Sequence, residues 1–241
     1  MKKKSILILS FLTLLCVSGF ALQRKPKNLL VFSYTQKYRH KSIEPGKESL
    51  TKWAKQKGYQ IDFSENPNDF SDDNLKKYNA LIFLNPTGTN VFTDSQKSAF
   101  KKYINKGGGF VGIHAATDFC FEWEWYGKLV GAFFTNHPKI QEATIKVIDN
   151  KHQSTSFLDK EFRYTDEWYN FKDLNPEVKV LLALDESSYT GGTMNGNHPI
   201  AWYHKFDGGK SFYTGLGHRD ECFSDPLFMK HLEGGIEYVL K

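Results

Sequence analysis

The chain has 241 residues and a formal net charge of +5, from 32 Lys and Arg against 27 Asp and Glu. Three of the positive charges are the lysines at positions 2 to 4, so the chain beyond residue 21 carries only +2 (5 − 3). It has no Lys/Arg stripe interleaved with stacking aromatics, which excludes a nucleic-acid partner, and its roughly 220 residues suit one α/β core and are short for two.

At the N-terminus, Lys2 to Lys4 precede an almost wholly apolar run over 5–17, and Gly19 and Ala21 supply small residues around a cleavage point. The pattern is that of a signal peptide over 1–21 followed by one domain over 22–241. It predicts an exported protein, periplasmic or extracellular, with no membrane attachment after cleavage. An uncleaved anchor is the alternative, and no other stretch is apolar enough to span a bilayer. Cys16 follows Leu15 rather than a small residue, so it belongs to the leader and not to a lipidation site. Beyond the leader stand Cys120 and Cys222, which an oxidising compartment permits to pair.

The apolar run 28–34 suits a buried parallel strand, and 48–58 follows as an amphipathic helix closed by Gly58. A second strand is expected over 59–63, a short helix over 72–78, and a third strand over 80–84 that ends at Asn85-Pro86. Thr93-Asp94-Ser95-Gln96 has capping-box spacing and opens a helix through Lys106, with Phe100, Tyr103 and Ile104 on its inner face. Gly107 to Gly109 stop that helix, and 110–113 makes a fourth strand. Strands and helices thus alternate as in a doubly wound, mostly parallel α/β sheet. Beyond residue 140 strands over 143–148, 178–183, 200–206 and 210–216 have few helices between them; the first two read as an insertion or an antiparallel C-terminal extension, and the last two as a β-hairpin. That hairpin turns at Asp207-Gly208-Gly209. An amphipathic helix over 225–240 closes the chain.

In such sheets ligands bind beyond the carboxyl ends of the strands. That rule selects Tyr34, Arg39 and His40 after the first strand, Asn85 to Thr87 after the third, His114 to Asp118 after the fourth, and His218 to Glu221 after the last hairpin strand. Gly107 to Gly112 match the GxGxxG spacing, but they close a helix and enter a strand, the reverse of a dinucleotide fingerprint. No Walker A sequence, HExxH or CxxC pair occurs.

Gly112-Ile113-His114-Ala115-Ala116 resembles the strand-to-helix turn where class I glutamine amidotransferases carry their nucleophile, with a histidine in its place. Tyr213-Thr214-Gly215-Leu216-Gly217-His218, followed by Glu221, resembles the segment that supplies their base. Joined by Tyr38-Arg39-His40, the run 125–132, His137-Pro138, Asp166-Glu167-Trp168-Tyr169 and the run 198–203, these segments resemble the ThuA-like (trehalose utilisation) family over nearly the whole domain. The resemblance implies a flavodoxin-like, class I glutamine amidotransferase-like fold and a role in carbohydrate metabolism. The missing thiol at residue 114 removes the thioester route of a glutaminase.

Convergent imidazoles and carboxylates are equipment for proton transfer near neutral pH. His114, His218, Glu167 and Asp118 are the expected catalytic groups, acting on a disaccharide or an oxidised 3-keto sugar. A base such as His114 or Glu167 would take the acidic proton beside the carbonyl, opening an isomerase, lyase or hydrolase route. Tyr34, Arg39, His40, Trp125, Tyr126, His137, Trp168 and His198 are expected to bind the sugar, the aromatics by stacking, as would Trp123 and Tyr169. The same histidines suit a divalent metal, zinc or manganese, but ligands from separate loops leave no spacing signature, so no metal residue is assigned. His152 is expected to be solvated, and His204 and His231 to pack in the interior. Two other classes stay open: a non-catalytic carbohydrate-binding or sensing protein using the same crevice, and a scaffold, which so dense an imidazole set argues against.

Overall fold

The computed structural model describes residues 26–241, and the signal peptide expected over 1–21 lies outside the described residues. In chain order the elements are β1 (Asn28–Phe32), α1 (Ile43–Lys57), β2 (Gln60–Ser64), α2 (Asp72–Leu75), β3 (Ala80–Leu84), α3 (Asp94–Asn105), β4 (Gly109–Ile113) and α4 (Glu124–Val130). Then follow β5 (Phe133–Asn136), β6 (Gln141–Val147), β7 (Glu161–Asp166), β8 (Asn170–Lys172), β9 (Lys179–Leu184), β10 (His198–Phe206), β11 (Gly209–Thr214) and α5 (Pro226–Val239).

Nine strands form one sheet in the order β2-β1-β3-β4-β11-β10-β9-β6-β7. The first five are parallel, and β3 and β4 are buried at every residue, which is why they are continuous apolar runs rather than alternating ones. Their order is the flavodoxin-like 2-1-3-4-5, with β11 as the fifth strand. From β10 onward the pairing is antiparallel, so the extension continues the main sheet. A separate ribbon, β5 with β8, lies outside that sheet.

Local sequence explains most of these boundaries. The Thr93 hydroxyl accepts from the Gln96 backbone N–H at 3.4 Å while the Gln96 side chain accepts from Thr93 N–H at 2.8 Å, the reciprocal cap that starts α3. Gly107, at φ 92°, ends the same helix, so the glycine run serves as a stop and not as a phosphate cradle. α1 begins five residues before the expected start. Pro45 sits in its first turn, where a missing N–H costs no helical bond, and Gly46 lies against Leu84 and Phe223. α4, β5, β7 and β8 were not expected. α4 lacks a side-chain cap, and β5 and β8 are only four and three residues long, so each carries little periodic signal.

Cys120 and Cys222 are both buried and unpaired. His204 and His231 are packed in the interior, as expected. His152 departs from expectation: its ring stacks on Tyr203 at 4.4 Å and is partly covered. Among the described residues, no helix is long and apolar enough to cross a membrane.

Candidate functional site

The site forms where the parallel strands end. His40 arrives on the loop between β1 and α1, His114 directly after β4, and His218 after β11. Glu167 follows β7, so the antiparallel extension delivers the carboxylate. His114 has φ 43°, the left-handed region that non-glycine residues seldom enter, and so stands at a sharp strand-to-turn elbow. Three buried groups hold the elbow. The Tyr213 hydroxyl donates to His114 O at 2.9 Å, the Tyr126 hydroxyl donates to Ala116 O at 2.7 Å, and Asn85 Oδ1 accepts from Ala115 N at 3.2 Å. The Asn85 amide also donates to Ser42 Oγ and Gly217 O, both at 3.0 Å, tying the loops after β1, β3, β4 and β11 together.

The imidazoles of His40, His114 and His218 form a triangle with every pair of ring centroids 5.1 Å apart. His114 Nδ1 lies 2.8 Å from Gly215 O, and a carbonyl can only accept, so that nitrogen carries the proton and Nε2 holds a lone pair. This Nε2 lies 3.2 Å from His218 Nδ1 and 3.4 Å from Glu167 Oε2, while His218 Nδ1 lies 3.1 Å from the same oxygen. The other carboxylate oxygen, Oε1, is 3.0 Å from His137 Nδ1. His40 is buried, and its Nδ1 has no hydrogen-bond partner.

A cavity of about 290 Å³ opens beside the cluster, lined by Tyr38, His40, Asp118, Phe134, His137, Glu167, Tyr169 and His218. Phe134 and Tyr169 make its aromatic wall, with ring centroids 4.1 Å apart, and Tyr169 also covers His114 at 4.0 Å. Burial, and then the neighbouring His114 and His218, push the His40 imidazole down to about 2, so it stays neutral. Burial alone would raise Glu167, but the adjoining His114 and His218 imidazoles outweigh it and hold the carboxyl well below the usual carboxylate range. Burial lowers His218, yet the Glu167 hydrogen bond and charge outweigh it and raise the group. Burial raises Asp118, with Lys37 opposing.

The structure therefore brings His114, His218, Glu167, Asp118, His40 and His137 to one place. It puts the other expected binding residues elsewhere. Tyr126 and Trp168 are fully buried, with the Trp168 indole N–H spent on Gln141 O, so neither can stack on a sugar. Trp125 donates to Asp207 in the β10–β11 turn, at the opposite end of the sheet, and stacks on the buried Trp123. His198 is fully buried between Glu186, Tyr189 and Tyr169 O. Arg39 is taken up by ion pairs with Glu44 and Glu65, and Tyr34 stacks along Phe32, so neither reaches the cavity. Of the expected stacking aromatics, Tyr169 alone lines it. Phe134, which sequence reasoning missed, had one signal: in Phe133-Phe134 the first ring faces inward and the second outward, the two-residue period of a strand.

Fold and elbow together define a class I glutamine amidotransferase-like α/β protein with a histidine at the nucleophile's turn. The chain belongs to the ThuA family, described as trehalose utilisation, whose family model matches residues 28–239. Among solved structures it is similar to a ThuA-like protein from Bacteroides uniformis, 26% identical with a TM-score of 0.74, the match covering 92% of this chain and 95% of that one. A ThuA-like protein from Parabacteroides merdae is 17% identical, with a TM-score of 0.72 and coverage of 90% and 91%, and shares the fold. A β-galactosidase from Bacillus circulans sp. alkalophilus shares the fold over 30% of its own chain and 89% of this one, at 12% identity and a TM-score of 0.55. No curated protein matches the sequence.

Proposed function

We propose that this chain is an exported enzyme of carbohydrate metabolism that moves protons on a disaccharide or an oxidised 3-keto sugar. The observation that carries the reading is the convergence of His40, His137, His218, Glu167 and Asp118 on one cavity with an aromatic wall. The family's association with trehalose utilisation supplies the substrate class, and the leader-like first 21 residues support export. At about 290 Å³ the cavity matches the lower end of small-molecule pockets, roughly 300 Å³, and so suits one sugar ring, with a second ring left outside near the exposed Tyr38. Glu167 is engaged at both oxygens and held ionised, which makes it a poor proton acceptor. Asp118, lining the cavity with its carboxyl raised by burial, is the better-placed proton carrier, and Tyr169 and Phe134 offer the stacking face.

The test is NMR-monitored incubation of the purified protein with trehalose, other disaccharides and their 3-keto derivatives, alongside calorimetric binding. Turnover is expected for one member of the set, and Asp118→Asn should lower kcat by about 10²–10⁴-fold with binding retained. A wild-type protein that binds sugar and converts none is a non-catalytic binder; one that binds none of them is not a carbohydrate protein. N-terminal sequencing of the protein recovered outside the cytoplasm should start near residue 22, and retention of the full-length chain inside the cell would sink the export reading.

A further inference from the structure

We propose that His40, His114, His218 and Glu167 hold a divalent first-row metal ion of the zinc type. The four residues each offer one ligand atom, and all four atoms lie within 4.8 Å of one another. The inference stands on the geometry of this cluster and is independent of the substrate class.

The distances within the cluster are those of a coordination shell. Two ligands about 2.0–2.1 Å from one tetrahedral zinc ion stand about 3.3–3.4 Å apart, which is the bond length times 1.63. His114 Nε2, His218 Nδ1 and Glu167 Oε2 stand 3.2, 3.4 and 3.1 Å apart, pair by pair. Ordinary hydrogen bonding accounts poorly for the same triangle. The His114 proton is committed to Gly215 O on the far side of the ring, so Nε2 presents a lone pair to an ionised carboxylate oxygen. One proton on His218 Nδ1 cannot serve both acceptors well. A cation among the three removes the repulsion.

Two further observations point to a ligand. His40 is 3% exposed and its Nδ1 meets no partner, an expensive state for a buried imidazole that belongs to a ligand set. The surroundings are also those of metal-bound side chains. A ligating histidine usually donates its second ring N–H to a carbonyl, as His114 does to Gly215, and a ligating carboxylate has a polar neighbour of its own, as Glu167 Oε1 has in His137 Nδ1 at 3.0 Å. Three imidazoles and one carboxylate favour zinc and its neighbours over magnesium or calcium, which take oxygen shells. His40, His218 and Glu167 border the cavity, so the cluster forms part of its wall.

The experiment uses the protein carrying no histidine tag, stripped with chelator and desalted. Zinc is then titrated calorimetrically, bound metal is counted by elemental mass spectrometry, and Co²⁺ is followed by its visible absorption. We expect one equivalent of zinc, Co²⁺ bands of low-symmetry coordination, a rise in melting temperature with metal, and no displacement by equimolar Mg²⁺ or Ca²⁺. His218→Ala and Glu167→Gln should abolish stoichiometric binding, and His137→Ala should weaken it about 10–100-fold. Far-UV circular dichroism checks that each variant folds, and His152→Ala is a control that should bind as the parent does. The proposal is overturned if the folded parent binds no zinc, or if folded His218→Ala and Glu167→Gln bind it unchanged. A sugar assay has no part in these readouts, so loss of the sugar reading and loss of the metal reading are separate results.

Discussion

Asp166 is the fully buried carboxylate on which the two late site loops rest, and replacing it with asparagine tests that role. Its Oδ1 accepts from the backbone N–H of Glu167 at 3.0 Å and of Arg219 at 3.3 Å, while Oδ2 accepts from Gly217 N–H at 2.8 Å and the Cys222 thiol at 3.3 Å. Asp166→Asn keeps the shape and turns one acceptor into a donor. The least costly orientation aims the new NH₂ at Gly217 and Cys222, because the thiol can rotate and the other oxygen keeps its two partners. Even so, the bond from Gly217 is lost and its N–H is left facing another donor. A hydrogen bond to a charged group contributes about 1.5–3 kcal/mol and an orphaned buried polar group costs about 1–3 kcal/mol, so a loss of about 4 kcal/mol is expected. Against a total stability of about 5–15 kcal/mol the change is easily measured. Urea unfolding followed by circular dichroism, at pH 7 and with an unchanged slope, provides the number. A loss under about 1 kcal/mol would refute the claim that this carboxylate carries the loops.

Two other substitutions probe the fold away from the site. His231 is buried, with Nδ1–H donating to Ser154 O and Nε2 accepting from Thr214 Oγ1, and burial brings it down from 6.5 to about 4. Its neutral form therefore contributes stability that is complete above 6.5 and is lost as pH falls toward 4, by up to about 3 kcal/mol; His231→Gln should flatten that part of the stability–pH curve, and identical slopes would contradict the assignment. Gly131 ends α4 at φ 105° with room for no side chain, since a Cβ would stand 2.2 Å from Trp202 Nε1, which donates to Val130 O. Gly131→Ala should cost about 2 kcal/mol or more in thermal unfolding and alter tryptophan fluorescence, and a neutral effect would mean that the Trp202 packing is wrong.

The parallel half of the sheet was legible because β1, β3 and β4 are short apolar runs punctuated by a capping box and glycines, signals that act within a few residues. The loops after β1, β4 and β11 followed from topology, and with them His40, His114 and His218. Aromatic residues were the weak point. Trp125, Tyr126 and Trp168 have the composition of a sugar platform, but whether a ring faces ligand or core depends on tertiary packing that no local pattern carries. Glu167 was legible only through family resemblance. Asp166, beside it, takes its importance from N–H groups some fifty residues away in the chain, a relation that spacing cannot express.

Glu167 leaves the end of β7, the last strand of the sheet, which has a partner on one side only. The donors of the cluster thus come from the loop after β1, the centre of the sheet and its far margin, and no fragment shorter than residues 40–218 contains them all. β6 and β7 must be registered and β11 seated before the fourth corner closes. Because side chains alternate along a strand, a slip of one residue there would turn the carboxylate away. Occupancy of the cluster would then report completed folding of the whole domain, and any chain truncated before residue 218 should be silent in that assay.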